Sequence, residues 1–239
     1  MNTAAEDDIP TFADWVARLG DVPLNRILMK PEPGTATVAD VLAAEAKGHL
    51  CELVDGVLVE KVYDCRNSVV ATWLASRILD FVIPRRLGVV TGAKGPLRMA
   101  NGNIRLPNVA FAAWDQLPGG RVPDEPFLTG SPALVADMMA AGNTPGEMAL
   151  KCRDYFASGT RLAWEIDARD RTVRVFASPD VSVVLGVDDD LDGGNALPGF
   201  TLPVRRVFEV LDWRAPDTRQ LGKASSESEL FSPQRGGGQ

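Results

Sequence analysis

The sequence contains very little histidine and cysteine, and this scarcity argues against the usual kinds of zinc site. It has one histidine, His49, and three widely spaced cysteines, Cys51, Cys65 and Cys152, in 239 residues. No Cys-x-x-Cys pair occurs, whereas zinc is normally held by clustered Cys and His ligands. The lone histidine also has no partners for a catalytic triad, and the sequence has no GxSxG or Walker-type loop. The few cysteines favour a reducing, cytoplasmic setting.

Long apolar runs and an excess of positive charge are also lacking. No apolar stretch is long enough to span a membrane. The opening segment, MNTAAEDDIP, does not have the basic and then apolar pattern of a signal sequence. We therefore expect no membrane partner and a cytoplasmic location. The formal net charge of −7 argues against a protein that coats nucleic acid non-specifically, although it is compatible with a local basic patch.

The chain does contain a succession of short amphipathic and apolar segments. Their order predicts an α/β (α+β) fold with a mixed β-sheet flanked by helices. Asp55-Gly56 separates two apolar runs and predicts a β-hairpin. A long run with helical spacing stops before Pro84, which should end that helix. We expect one domain, over residues 11–213, between disordered tails at residues 1–10 and 214–239.

Asp137 is the most informative single residue. It is the only charged residue between Pro132 and Gly142, in a segment that predicts a buried strand. An unpaired carboxylate in such a strand is energetically costly. The carboxylate is therefore expected to ligate a metal or take part in chemistry. The alternative is a buried ion pair with an arginine.

Lys151 is the candidate partner of Asp137. Thr144 and Pro145 predict the start of a helix that can fold back over the strand of Asp137. Lys151 then lies about 10 Å along that helix, at roughly 1.5 Å per residue. Asp137 lies about 7 Å back from the strand end, at roughly 3.3 Å per residue. The two side chains could meet, and the alternative is an ordinary surface lysine.

Glu52 and Asn108 complete the candidate site. By strand alternation, Glu52 shares a face with the aliphatic Leu50 and Val54, which favours a buried site. The alternative is that it is an edge-strand acid that faces water. Asn108 begins the strand that precedes the strand of Asp137. Two acids on neighbouring strands with a lysine nearby would hold Mg²⁺ and activate a water. An asparagine offers only a neutral oxygen, and the alternative is that it caps a turn.

Several segments together carry a resemblance to a known family. These segments are CELVDGVLVEK, RLPNVAF, LVADMMAAGNTPGEMALKCRDYF and RLAWEIDARDRTVRVF. They resemble the Uma2 family of restriction endonucleases, over roughly residues 37–212. That resemblance implies the PD-(D/E)XK restriction-endonuclease-like fold, which binds Mg²⁺ and cuts phosphodiesters.

The resemblance also implies roles for four residues. It makes Glu52, Asn108 and Asp137 metal ligands, and Glu52, Asp137 and Lys151 catalytic residues. Two positions depart from the family pattern at the ligands, because Asn108 stands where an aspartate is usual and Asp137 where a glutamate is usual. Ala140 stands in place of a serine.

Three hypotheses follow for function. The first is a Mg²⁺-dependent endonuclease acting on DNA, weakened by Asn108 and Asp137. The second is a catalytically impaired nuclease-fold protein that acts as a DNA-binding or oligomeric partner. The third is a folded domain with no nucleic-acid role. The expected partners are DNA and a second copy of the chain in a homodimer.

Overall fold

A computed structural model describes residues 11–129 and 131–215 of the chain. The predicted tails at residues 1–10 and 214–239 lie outside these ranges, apart from Arg214 and Ala215. Within the described ranges, no helix is both long and apolar enough to cross a membrane.

Five α-helices follow the pattern of caps and apolar positions in the sequence. Thr11, Thr37 and Thr144 are the N-cap residues of three of these helices. The hydroxyls of Thr11 and Thr144 accept a backbone N–H of the first turn, whereas the hydroxyl and backbone N–H of Thr37 donate to Asp40. The helices are α1 (Phe12–Arg18), α2 (Val38–Glu45), α3 (Cys65–Arg85), α4 (Pro145–Ala157) and α5 (Val204–Phe208).

Thirteen strands are distributed over three sheets in the described residues. A five-stranded sheet has the order β2-β1-β5-β4-β7, a six-stranded sheet the order β11-β10-β9-β8-β6-β3, and β12 pairs with β13. The strands are β1 (Cys51–Val54), β2 (Val57–Glu60), β3 (Gly88–Gly92), β4 (Leu97–Arg98), β5 (Ile104–Arg105), β6 (Val109–Ala113), β7 (Leu128–Thr129), β8 (Leu134–Met138), β9 (Leu162–Asp167), β10 (Thr172–Ser178), β11 (Val181–Leu185), β12 (Asp190–Asp192) and β13 (Thr201–Pro203).

The six-stranded sheet is mixed and lies between helices. Strand β8 pairs in parallel with β9 and antiparallel with β6. Apolar side chains of α3 and α5 form one large core cluster with Leu134, Ala136 and Met138. Val135 belongs to a different cluster, which includes Tyr155 of α4. Because successive strand residues point to opposite faces, α4 covers the face that also carries Asp137.

Two local predictions have different outcomes. The hairpin is confirmed, since β1 and β2 pair antiparallel across Asp55 and Gly56, which both have positive φ angles. The helix end at Pro84 was placed wrongly, because α3 continues through the proline to Arg85. The helix ends instead where Arg86 takes a left-handed conformation.

Candidate active site

Asp137 and Lys151 meet as the segment lengths predict. All five residues of β8 are buried, because paired strands lie on both sides and helices cover both faces. Helix α4 then folds back along the sheet. Lys151 Nζ lies 3.7 Å from Asp137 Oδ1, and both side chains are almost fully buried. Lys151 is therefore not a surface lysine.

Glu52 reaches the same ammonium group from the other sheet. Its Oε1 lies 2.8 Å from Lys151 Nζ and also accepts the backbone N–H of Leu106 at 3.0 Å. Its Oε2 accepts a hydrogen bond from Arg105 at 3.0 Å. Glu52 is thus not a water-facing edge acid, since β1 lies between β2 and β5. Burial alone would raise the pKa of Glu52, but Lys151 and Arg105 lower it to about 2.

Three further residues of this site were not identified from the sequence. Arg105 Nε donates to Asp154 Oδ2 at 2.7 Å, and Tyr155 Oη donates to Asp137 Oδ2 at 2.8 Å. Burial, followed by the nearby Asp137, raises the pKa of Tyr155 well above its ordinary value. Asp154 and Tyr155 follow Lys151 by three and four positions, which places them on the same helix face. Two features of the sequence could have identified these residues: that spacing, and the isolated charge of Arg105 in an apolar run.

A second ion pair extends the site towards the N-terminal part of the chain. Arg26 donates two hydrogen bonds to Glu147, at 2.7 and 2.8 Å, in a bidentate arrangement. Arg26 also donates to the carbonyl oxygens of Gly142 and Glu60. Burial would raise the pKa of Glu147, but the hydrogen bond from Arg26 lowers it. Glu147 precedes Lys151 by one helical turn, so the two ion pairs lie side by side on α4.

The buried charges of the described residues are balanced. Four of them are acidic and four are basic, and we call these eight the ion-pair cluster: Arg26, Glu52, Lys61, Arg105, Asp137, Glu147, Lys151 and Asp154. Lys61 donates a hydrogen bond to the carbonyl oxygen of Leu106. Burial and the neighbouring Lys151 lower the pKa of Lys61 to about 8, despite the acids nearby. The cluster as a whole therefore has little uncompensated negative charge with which to attract a cation.

Asn108 does not join the carboxylates. It is buried, and its Oδ1 accepts the backbone N–H of Met138 at 3.1 Å. It lines a cavity that Met138 also lines, whereas Glu52, Asp137 and Lys151 do not line that cavity. The structure thus brings together three of the four predicted site residues and places the fourth beside a separate space.

The donor groups as arranged do not fit Mg²⁺. Among the described residues, no group of three or more His, Cys, Asp or Glu side chains is placed to hold a metal ion. Both carboxylate oxygens of Glu52 already face cationic or N–H donors, and those of Asp137 face Lys151 and Tyr155. Mg²⁺ requires several oxygen ligands around one point. Here the ammonium of Lys151 lies at the point on which two carboxylates converge.

Two adjoining cavities lie where strands β6, β8 and β9 begin or end. The larger has a volume of about 570 Å³ and is lined by Lys61 and Lys94 among others. The smaller, of about 310 Å³, shares part of its lining with the first and includes Arg66 and Arg169. We call the two cavities together the strand-end groove. Two aspartates, Asp64 and Asp167, line it as well.

Comparison with known proteins agrees with this architecture. A family model described as "Putative restriction endonuclease", Uma2, matches residues 38–205. A crystal structure described as a "putative nuclease belonging to DUF820", from Anabaena variabilis, matches with a TM-score of 0.61 and 16% sequence identity. The match covers 67% of this chain and 90% of that chain, and it supports the predicted restriction-endonuclease-like fold. No curated protein matches. Because the family model covers well over half of the sequence, the chain belongs to the Uma2 family.

Proposed function

We propose that the chain is a nuclease-fold protein that binds DNA and cleaves it with Mg²⁺ weakly or not at all. One observation carries the proposal: the ammonium of Lys151 lies 2.8 Å from Glu52 and 3.7 Å from Asp137. Two carboxylates that could share a metal ion share a lysine instead. The predicted metal ligands Glu52 and Asp137 thus form a site whose negative charge is already neutralised.

The neutral side chain at position 108 also makes the site a poor one for a metal ion. An aspartate there would give the strand-end groove a carboxylate next to the ion-pair cluster. Asn108 contributes a neutral amide, whose oxygen already accepts the N–H of Met138. A hard divalent cation gains most of its binding energy from anionic oxygens. We therefore expect Mg²⁺ to bind the wild type poorly.

DNA binding is supported by the family and by the charge of the strand-end groove. Four cationic side chains line it: Lys61, Lys94, Arg66 and Arg169. Its acids are engaged within the protein. Asp64 accepts two hydrogen bonds from Asn67 at the start of α3, and Asp167 accepts the backbone N–H groups of Arg169 and Asp170. Lys61 is buried in the ion-pair cluster, so the exposed Lys94, Arg66 and Arg169 are the groove cations that can contact a phosphate backbone.

A Mg²⁺-dependent endonuclease is the second candidate function. The observation that favours it is the convergence of Glu52 and Asp137, from two different sheets, on one cationic group. Carboxylates are the residue type that a metal-dependent phosphodiesterase uses to hold its metal ion. The two candidates differ in whether the wild type cleaves DNA.

Plasmid cleavage with Mg²⁺ and with Mn²⁺ separates the candidates. The variants are Asn108→Asp, Lys151→Ala and, as a matched charge control outside the groove, Asn195→Asp at an exposed position. We expect no cleavage by the wild type or by Asn195→Asp, and a gain of cleavage in Asn108→Asp. A wild type that cuts, and that loses cutting in Lys151→Ala, would establish the endonuclease instead.

The DNA-binding part of the proposal has its own measurement. Fluorescence anisotropy with a labelled duplex, without divalent cations, should show binding that weakens steeply as salt is added. Arg66→Gln and Lys94→Gln should both weaken it, because each removes a groove cation. Absence of binding at low salt would contradict both candidate functions.

A further inference from the structure

The larger cavity of the strand-end groove is a defined space next to the ion-pair cluster. It lies between the N-terminal half of α3 and the ends of β2, β3 and β8. Its volume of about 570 Å³ falls in the range of roughly 300–1,000 Å³ that is typical of small-molecule sites. The ion-pair cluster contributes only Lys61 to the lining. The cavity therefore offers a binding site that the predicted catalytic residues do not explain.

Two buried amides line this cavity and leave one donor and one acceptor unused. The Nδ2 of Asn67 donates to Asp64 and to the carbonyl oxygen of Met139, so its Oδ1 has no hydrogen-bond partner within residues 11–129 and 131–215. Asn108 has the opposite arrangement. Its Oδ1 accepts the Met138 N–H, and its Nδ2 has no partner in the same ranges. Both side chains line the cavity, so this acceptor and this donor are available to hydrogen-bond a ligand bound there.

Together, the Asn67 acceptor and the Asn108 donor complement the edge of a nucleobase. Every base presents donors and acceptors side by side on its Watson–Crick edge, and an amide can complement either. A phosphate or a metal ion would use only one of the two groups. The pair therefore favours a flat, polar-edged ligand over an ion.

The walls and rim of the cavity fit the remaining parts of a nucleotide. Apolar side chains form most of the wall, among them Leu50, Val62 and Ala71, and an apolar wall suits the faces of a base. Tyr63 also lines the cavity and is 74% exposed, so its side chain is available for stacking. Lys94 is exposed on the rim, where it can contact a phosphate.

We propose that this cavity binds one unstacked base of single-stranded or locally unpaired DNA, with Asn67 and Asn108 on the base edge. The proposal rests on the DNA binding proposed above and specifies its substrate class. A base within a duplex is stacked and paired, so it cannot enter a side cavity without being extruded. The chain should therefore prefer DNA in which a base is already free.

The test compares single-stranded, mismatched and fully paired oligonucleotides of one length and sequence, each with 2-aminopurine at one position. Affinity is measured by fluorescence anisotropy and base placement by 2-aminopurine emission. Thr72→Trp fills the cavity from an exposed position on α3. Val69→Trp is the matched control, because Val69 is exposed on the same helix and does not line the cavity.

We expect the wild type and Val69→Trp to bind the unpaired DNA about tenfold more tightly than the duplex, as one stacked base supplies. Thr72→Trp should lose this preference, because the indole fills the space for the base. Equal affinity of the wild type for all three DNAs would overturn the cavity proposal alone, and so would an unchanged preference in Thr72→Trp. Failure to bind any DNA would overturn the proposed function as well.

Discussion

Lys151 Nζ lies 2.8 Å from Glu52 Oε1, and this ion pair joins α4, on the six-stranded sheet, to β1 of the five-stranded sheet. Both side chains are almost fully buried. Burial would lower the pKa of Lys151, but Asp137 and Glu52 raise it above its ordinary value. Lys151 is therefore protonated under physiological conditions, and it serves as the fixed cation of the candidate site.

Removing Lys151 should destabilise the fold. Lys151→Met leaves Glu52 and Asp137 buried without a shared cation, and breaking a buried ion pair costs roughly 3–5 kcal/mol of unfolding free energy. Lys47→Met, at an exposed position, should change the unfolding free energy by about 0.5 kcal/mol or less, as surface substitutions usually do. Urea denaturation followed by circular dichroism measures both.

A double variant tests whether the loss arises from the ion pair. Glu52→Gln removes the charge that Lys151 compensates, so the double variant Glu52→Gln with Lys151→Met should lose less than the sum of the single losses, by about 1–3 kcal/mol. Strict additivity would show that the two side chains stabilise the fold independently, contrary to the geometry.

The lowered pKa of Glu52 predicts that the fold loses stability in acid. Its pKa falls from an ordinary value of 4.5 to about 2 in the folded protein, because Lys151 and Arg105 outweigh the effect of burial. The carboxylate therefore stabilises the fold above pH 4.5, and this contribution is lost as the pH falls towards 2. It amounts to roughly 3 kcal/mol by the usual conversion. Glu52→Gln should show a smaller decrease in unfolding free energy across that window than Glu45→Gln, an exposed control.

Simple lengths and patterns were enough to place Asp137 against Lys151. A strand apolar on both faces is central, and the rise per residue of the strand and of the helix then sets how far each side chain lies from the turn. The cap at Thr144 fixes where α4 starts, so the position of Lys151 along the helix follows from the residue count alone. Local rules therefore predicted the contact that defines the site.

The partners of Arg26 and Arg105 could not be obtained in the same way. Arg26 bonds to Glu147 and to the carbonyl oxygens of Gly142 and Glu60, which come from distant parts of the chain. Their proximity depends on how the two sheets pack, which no local pattern encodes. Asn108 shows the same limit, because its side chain lines the cavity rather than joining the carboxylates. The position of a residue on a strand was predictable, but the direction of its polar atoms at the strand end was not.

The lowered pKa of Lys61 predicts a pH dependence of the same sign as that of Glu52, but in the alkaline range. Its pKa falls from 10.5 to about 8, chiefly because burial penalises the ammonium. Between these two values the unfolded chain binds the proton more tightly, so the free energy of unfolding gains a contribution that rises with pH. Lys61→Met should abolish that rise. Lys94→Met, which removes an exposed lysine, should retain it, and identical pH profiles for the two variants would contradict the assignment.

The position of α4 depends on a close contact between two glycines, Gly20 and Gly146. A Cβ atom on Gly146, in the first turn of the helix, would lie 2.6 Å from the carbonyl oxygen of Gly20. That atom is backbone, so it cannot move aside as a flexible side chain could. Thr144 Oγ1 also donates to the same oxygen, which ties the helix start to the segment after α1. The contact therefore helps to fix where Lys151 lies.

Gly146→Ala should accordingly destabilise the protein by about 2 kcal/mol, because overpacking outweighs the better helix propensity of alanine. Gly92→Ala is the matched control, since a Cβ atom there meets nothing within 4 Å. Thermal unfolding compares the two variants with the wild type. A Gly146→Ala variant as stable as Gly92→Ala would show that the two segments can separate without cost.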